Sequence, residues 1–88
     1  MQMPDRTPII PHVHLGELTI GEQATIVGYD KEHLRYLHRL LAMGLTRGTK
    51  ILLVRKAPMG DPLDISLRGY NISLRRDEAS VLRLERTP

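Results

Sequence analysis

Met43-Gly-Leu-Thr-Arg-Gly-Thr-Lys50, Ile51-Leu-Leu-Val-Arg-Lys56, Ala57-Pro-Met-Gly-Asp-Pro62 and Leu63-Asp-Ile-Ser-Leu-Arg-Gly-Tyr-Asn-Ile-Ser-Leu-Arg-Arg-Asp-Glu-Ala79 follow one another without a break. Three short apolar runs stand between Gly and Pro marks, the spacing of a small all-β meander. Leu63, Ile65 and Leu67 alternate with Asp64, Ser66 and Arg68, so one face of that strand seeks a core and the other water. Ile72 and Leu74 repeat the pattern against Asn71, Ser73 and Arg75. Between them Arg68-Gly69-Tyr70-Asn71 has the length and residues of a tight hairpin, since Gly tolerates positive φ and Asn nearly does. Ile51 to Val54 is apolar on both sides, as a central strand or a barrel-corner strand is. The stretch predicts strand, long loop, strand, tight turn, strand.

Working outward, 88 residues allow one domain, because two cores would each be too small to stand unaided. Leu, Ile and Val number 25, enough for a small core. Phe and Trp are absent, so that core is aliphatic, and Tyr29, Tyr36 and Tyr70 are expected to sit part-buried with their hydroxyls in water. Without Cys there is neither a disulfide framework nor a thiolate metal site, which fits a cytoplasmic protein. No apolar run approaches the ~20 residues of a membrane span, and no charged n-region leads into an apolar h-region, so neither membrane insertion nor a secretory signal is expected.

A formal charge of +3 raises the question of nucleic acid, but the thirteen basic residues are scattered among ten acids. Arg55-Lys56 and Arg75-Arg76 are the only tight pairs, and a solvated face is their expected role. Nucleic-acid binding by a small basic barrel is the competing function class. It usually needs exposed aromatics for base stacking, and three tyrosines offer few, so nucleic acid is not the expected partner.

Pro4, Pro8 and Pro11 exclude helix from the first fourteen residues, which are set apart as a Pro-rich N-terminal extension, 1–14, from a domain at 15–88. Within the extension Ile9 to Val13 is expected to lie against the barrel or a second copy, so a homodimer is conceivable. Leu15, Leu18 and Ile20 anchor a turn, and Gln23 to Gly28 forms the first strand with Ala24 and Ile26 inward. Asp30 can cap a helix over Lys31 to Met43, Glu32 suits its positive end, and Gly44 can end it. Leu34, Leu37, Leu40 and Leu41 supply its apolar stripe. Arg76 to Ala79 reads as a turn or one helical turn. Leu82 and Leu84 alternate with Val81, Arg83 and Glu85 in a last strand, after which 86–88 should fray. The fold class is therefore mainly β: a small SH3-like β-barrel of about five strands with one inserted amphipathic α-helix, partly open, since small sheets protect their edges best by closing.

Four blocks, Leu15-Gly-Glu-Leu-Thr-Ile-Gly-Glu22, Arg39-Leu-Leu-Ala-Met-Gly-Leu-Thr-Arg-Gly-Thr49, Ala57-Pro-Met-Gly-Asp-Pro-Leu63 and Leu74-Arg-Arg-Asp-Glu-Ala79, resemble the FeoA family in order and spacing. The resemblance covers about Leu15 to Leu84. It implies an SH3-like barrel, kinship with the C-terminal domain of iron-dependent repressors, and a cytosolic accessory role in bacterial ferrous-iron uptake. The implied partner is the cytosolic, GTP-binding part of the membrane transporter FeoB. It transfers no catalytic residue, no required cofactor and no metal relationship.

Among candidate sites, Gly44-Leu-Thr-Arg-Gly-Thr-Lys50 is no phosphate loop, having one residue too few between its glycines, a reversed Lys-Thr order and a strand after it. His12 and His14 fall on one side of an extended segment and could chelate Zn(II) or Fe(II) with a third ligand, adventitiously or, as a third function class, in direct metal sensing, against the plainer reading of lone surface histidines. His33 and His38, five apart, do not share a helix face. Asp61 and Asp64 could meet at the loop, although surface carboxylates are usually just solvated. No nucleophile–base arrangement is visible, so catalysis is not expected. Pro58, Met59 and Asp61 form the better candidate: prolines limit the entropy lost on docking and Met59 offers an adaptable apolar contact. Arg35 and Arg39, beside His38, could meet an acidic partner surface, with solvation as the plainer reading. Expected, then, is a non-enzymatic adaptor.

Overall fold

The computed structural model describes residues 12–87, with the side chains of Glu32 and His33 outside that description. Five antiparallel strands form one sheet: β1 (Gln23–Tyr29), β2 (Lys50–Lys56), β3 (Leu63–Leu67), β4 (Tyr70–Leu74) and β5 (Leu82–Arg86), in the order β4-β3-β2-β1-β5. Two short helices join them, α1 (Leu37–Ala42) and α2 (Arg76–Ala79). The mainly β fold class is as expected. Because β5 returns beside β1, the meander curls around one core and leaves β4 and β5 as its edges.

The alternation read in β3 is realised: Leu63, Ile65 and Leu67 are buried while Asp64 and Ser66 are partly exposed. β2 is central, as its two-sided apolar run predicts. Its register with β3 slips between Leu53 and Arg55, and that of β1 with β5 slips between Ile26 and Gly28. Each slip adds a residue to one strand, Val54 and Val27, and such bulges bend a sheet and sharpen its twist. They curl five strands around a core of Leu, Ile, Val and Ala alone, with Tyr29, Tyr36, Met43 and Ile72 packed at its margin.

Several expectations need correction. The hairpin turns on Arg68 (φ 49°) and Gly69 (φ 87°), both left-handed as a two-residue type I′ turn requires, while Asn71 is already paired with Ser66 in β4. The helix is divided: a 3-10 segment, Lys31–Tyr36, precedes α1. Its stripe is not a core stripe, for only Leu40 is buried and Leu34 and Leu41 are exposed. Ile20 is exposed too, whereas Leu15 and Leu18 are fully buried. Val81 is buried rather than outward. Arg86 does not fray, since it pairs with Ala24 and its guanidinium lies 2.7 Å from Glu22 Oε2. Val13 pairs with Leu84, as expected of a segment lying against the barrel; Ile9 and Ile10 lie outside the described residues.

Tyr29 and Tyr36 are part-buried as expected and Tyr70 is exposed instead, but two of the three hydroxyls are bound by main-chain carbonyls and not left to water. Tyr29 Oη donates to the Leu45 carbonyl at 2.9 Å and Tyr70 Oη to the Met43 carbonyl at 2.6 Å. Carbonyls at the end of a helix lack intrahelical partners, so one tyrosine from β1 and one from β4 pin the exit of α1 to the sheet. Leu45 N–H to Leu40 C=O and Gly44 N–H to Leu41 C=O, at 3.0 Å each, complete a Schellman turn around Gly44 (φ 92°).

Candidate functional site

The loop after β2 is built by its own backbone. Ala57 N–H donates to the Pro62 carbonyl at 3.0 Å and Gly60 N–H to the Ala57 carbonyl at 2.8 Å, which closes the loop on itself. Met59 at its tip is 94% exposed and held at φ 69°, a left-handed conformation that costs an L-residue about 1 kcal/mol. A long apolar side chain is thus fixed in solvent at a conformational cost, and it packs on nothing that would repay it. Asp61 accepts the Arg76 N–H at 3.1 Å, tying the loop to the first turn of α2.

α2 holds a second predicted residue. Glu78, 5% exposed, takes the Arg75 N–H on one oxygen at 3.0 Å and faces Arg39 Nη1 at 3.1 Å with the other. Two residues of the four in α2 therefore clamp both candidate patches, Asp61 through Arg76 and Arg39 through Glu78. Arg35 is used differently: its guanidinium stacks 5.1 Å over the Tyr36 ring and reaches the Tyr36 hydroxyl at 3.3 Å. Pro58 and Pro62 stay exposed. Asp61 and Asp64 have separate partners, since Asp64 accepts the Ser73 hydroxyl and lies 3.5 Å from Arg55.

Between the Leu15–Glu17 turn, the end of β2 and α2 lies a cleft of about 340 Å³, floored by Leu63 and Ala79 and rimmed by His14, Glu17, Lys56 and Arg76. Lys56 Nζ spans it to the Gly16 carbonyl at 3.1 Å. Nothing in the sequence marks this cleft, because its walls come from three distant segments, each unremarkable by itself. Ser80 lines it with its hydroxyl donated to the Asp77 carbonyl at 2.7 Å. The lining can hold a side chain or an extended segment by contact and charge.

His12 and His14 are exposed on either side of buried Val13. His14 Nδ1 lies 3.7 Å from Glu17 Oε1, and among the described residues no three His, Asp or Glu side chains gather as a metal site. No helix among the described residues is long and apolar enough to cross a membrane.

With this geometry in hand, the family comparison is decisive: residues 13–86 match the FeoA domain. The chain belongs to the FeoA family. An Fe(2+) transport protein A/Fe(2+) transporter FeoB fusion protein of Porphyromonas gingivalis is 37% identical over 73 residues, which are 83% of this chain and 8% of the fusion protein. The FeoA-like protein of Clostridium acetobutylicum superposes with a TM-score of 0.81 at 35% identity, covering 91% of this chain and 92% of that one. FeoA of Stenotrophomonas maltophilia, solved with zinc and described as a prokaryotic SH3 domain protein, gives 0.71 at 25% identity over 83% of this chain and 89% of its own. The SH3-like barrel is thereby shown for this FeoA-family chain, while ferrous-iron transport is what the Porphyromonas fusion protein and the Stenotrophomonas protein are described by.

Proposed function

We propose that this FeoA-family chain is a non-enzymatic, cytoplasmic adaptor that binds the cytosolic, GTP-binding part of a FeoB-type ferrous-iron transporter and modulates it. The observation that carries the reading is the fusion of a matching domain with FeoB in one polypeptide. Covalent linkage raises the effective concentration of two modules toward millimolar, which favours pairs whose separate affinity is modest. The contact surface assigned to this role is the loop of Pro58, Met59 and Asp61 with the adjoining cleft. Arg35 and the exposed flank of Arg39 extend it where the partner is acidic. Modulation requires that the adaptor prefer one transporter state, because equal affinity for two states shifts neither.

The test is a pull-down of the transporter's soluble domain on this chain, with GTP analogue, with GDP and without nucleotide. Binding that differs between nucleotide states supports the adaptor; absence of binding in all three refutes it. A second, separable proposal is that His12 and His14 take a transition ion, by analogy with the zinc in the Stenotrophomonas protein. Zn(II) affinity that survives His12→Ala with His14→Ala would remove it.

A further inference from the structure

The two edges of the sheet are treated differently. β5 carries Arg83, Glu85 and Arg86, and its outer side is bridged by Val13, whose N–H and C=O both bond Leu84 at 2.8 and 2.9 Å. Charge and cover are the usual protections of an edge strand. β4, Tyr70-Asn-Ile-Ser-Leu74, has neither: no charged residue, no Pro, no bulge in its register with β3, and no segment paired to its outer side among the described residues.

The register shows which groups are open. In a two-residue hairpin the flanking pair, here Leu67 and Tyr70, exchanges its main-chain hydrogen bonds, and pairs then alternate along the ladder. Ile65 with Ile72 and Leu63 with Leu74 are bonded in turn, so the N–H and C=O of Asn71 and Ser73 point away from β3. Both residues are exposed, and no hydrogen bond reaches those four groups among the described residues.

We propose that the outer edge of β4 takes an extended segment of a partner protein as a sixth strand, apolar or neutral where it pairs with Asn71 and Ser73 and carrying carboxylates beyond that stretch, where it passes Arg75 and Arg76. Main-chain pairing with Asn71 and Ser73 supplies the register, and the two arginines, both exposed and with no side-chain ion pair among the described residues, supply the charge preference. A second copy fits less well. Antiparallel self-pairing centred on Ile72 sets Arg68 against the other chain's Arg76, and a five-residue edge buries far less than the ~1,000 Å² a specific dimer needs. This inference rests on the adaptor reading and names where the adaptor holds its partner.

The experiment is amide hydrogen exchange on the intact chain, alone and with the soluble cytosolic domain of a FeoB-type transporter, beside binding curves for the parent, Asn71→Pro and Ser73→Pro. Exchange of the Asn71 and Ser73 amides should be fast in the free chain and slowed at least tenfold in the complex. Each proline should weaken binding about tenfold, since it removes one outward donor and leaves the bonds to β3 intact. Binding by the parent with those amides still exchanging freely overturns the edge alone, even if a proline variant fails to fold. No binding by the parent overturns the adaptor and this inference together, and protection that rises with this chain's own concentration overturns the choice of occupant.

Discussion

Met59 concentrates the functional argument at the scale of one residue. Its left-handed backbone and 94% exposure together mean that its side chain contributes nothing to the core. Met59→Gly is therefore expected to raise stability, by up to about 1 kcal/mol in urea unfolding, while weakening binding of the transporter domain. A variant that binds as well as the parent would make the loop a simple connector. Glu22 gives a second residue-scale expectation. Hydrogen bonds from the Thr19 N–H and hydroxyl and from Arg86 hold its carboxyl below the ordinary carboxylate range, against a smaller opposing effect of burial. A lowered folded pKa contributes stability above the unfolded value and loses it as pH falls through the folded one. The melting temperature of the parent should thus fall more steeply between about pH 5 and 3 than that of Glu22→Gln; parallel slopes would count against the assignment.

At the scale of elements, the exit of α1 is the joint that sets helix against sheet. A Cβ on Gly44 would come 2.7 Å from Tyr70 Oη at a backbone φ of 92°, so Gly44→Ala meets both a steric and a conformational obstacle. It is expected to cost about 2 kcal/mol or more, and the double variant with Tyr70→Phe should lose less than the sum of the two single losses. Strict additivity in denaturant unfolding would show that the hydroxyl is not the obstacle. The strands were legible in the sequence because period-two alternation is a local signal, as Leu63, Ile65 and Leu67 demonstrate. The helix was legible only at its end. Gly44 announces a C-cap, but the stripe of Leu34, Leu37 and Leu41 promises a burial that the sheet, already filled by its own side chains, does not provide. The tyrosine clamps escaped notice because their acceptors are carbonyls, which every residue carries.

Over the whole molecule, the candidate surface was legible in part. The Pro-bounded loop stood out by composition, whereas the cleft beside it and the bare edge of β4 depend on which segments the topology brings together. α2 is what joins these features, holding Asp61 with one residue and Arg39 with another, and its Arg76 also lines the cleft. Glu78→Gln is expected to loosen that clamp and cost about 1–3 kcal/mol in thermal unfolding, since Arg39 and the Arg75 N–H would exchange an ionised acceptor for a neutral amide; an unchanged melting temperature would remove α2 from this role. The central claim, that this barrel is a contact module for a transporter's cytosolic domain, is tested most directly by an amide-resolved NMR titration with that domain. Shifts gathered at residues 57–62 and 71–80, at the cleft residues 14–17 and, for an acidic partner, at Arg35 and Arg39, with the rest of the barrel unmoved, are the predicted result. An unperturbed spectrum at saturating partner, or shifts confined to other surfaces, would contradict it.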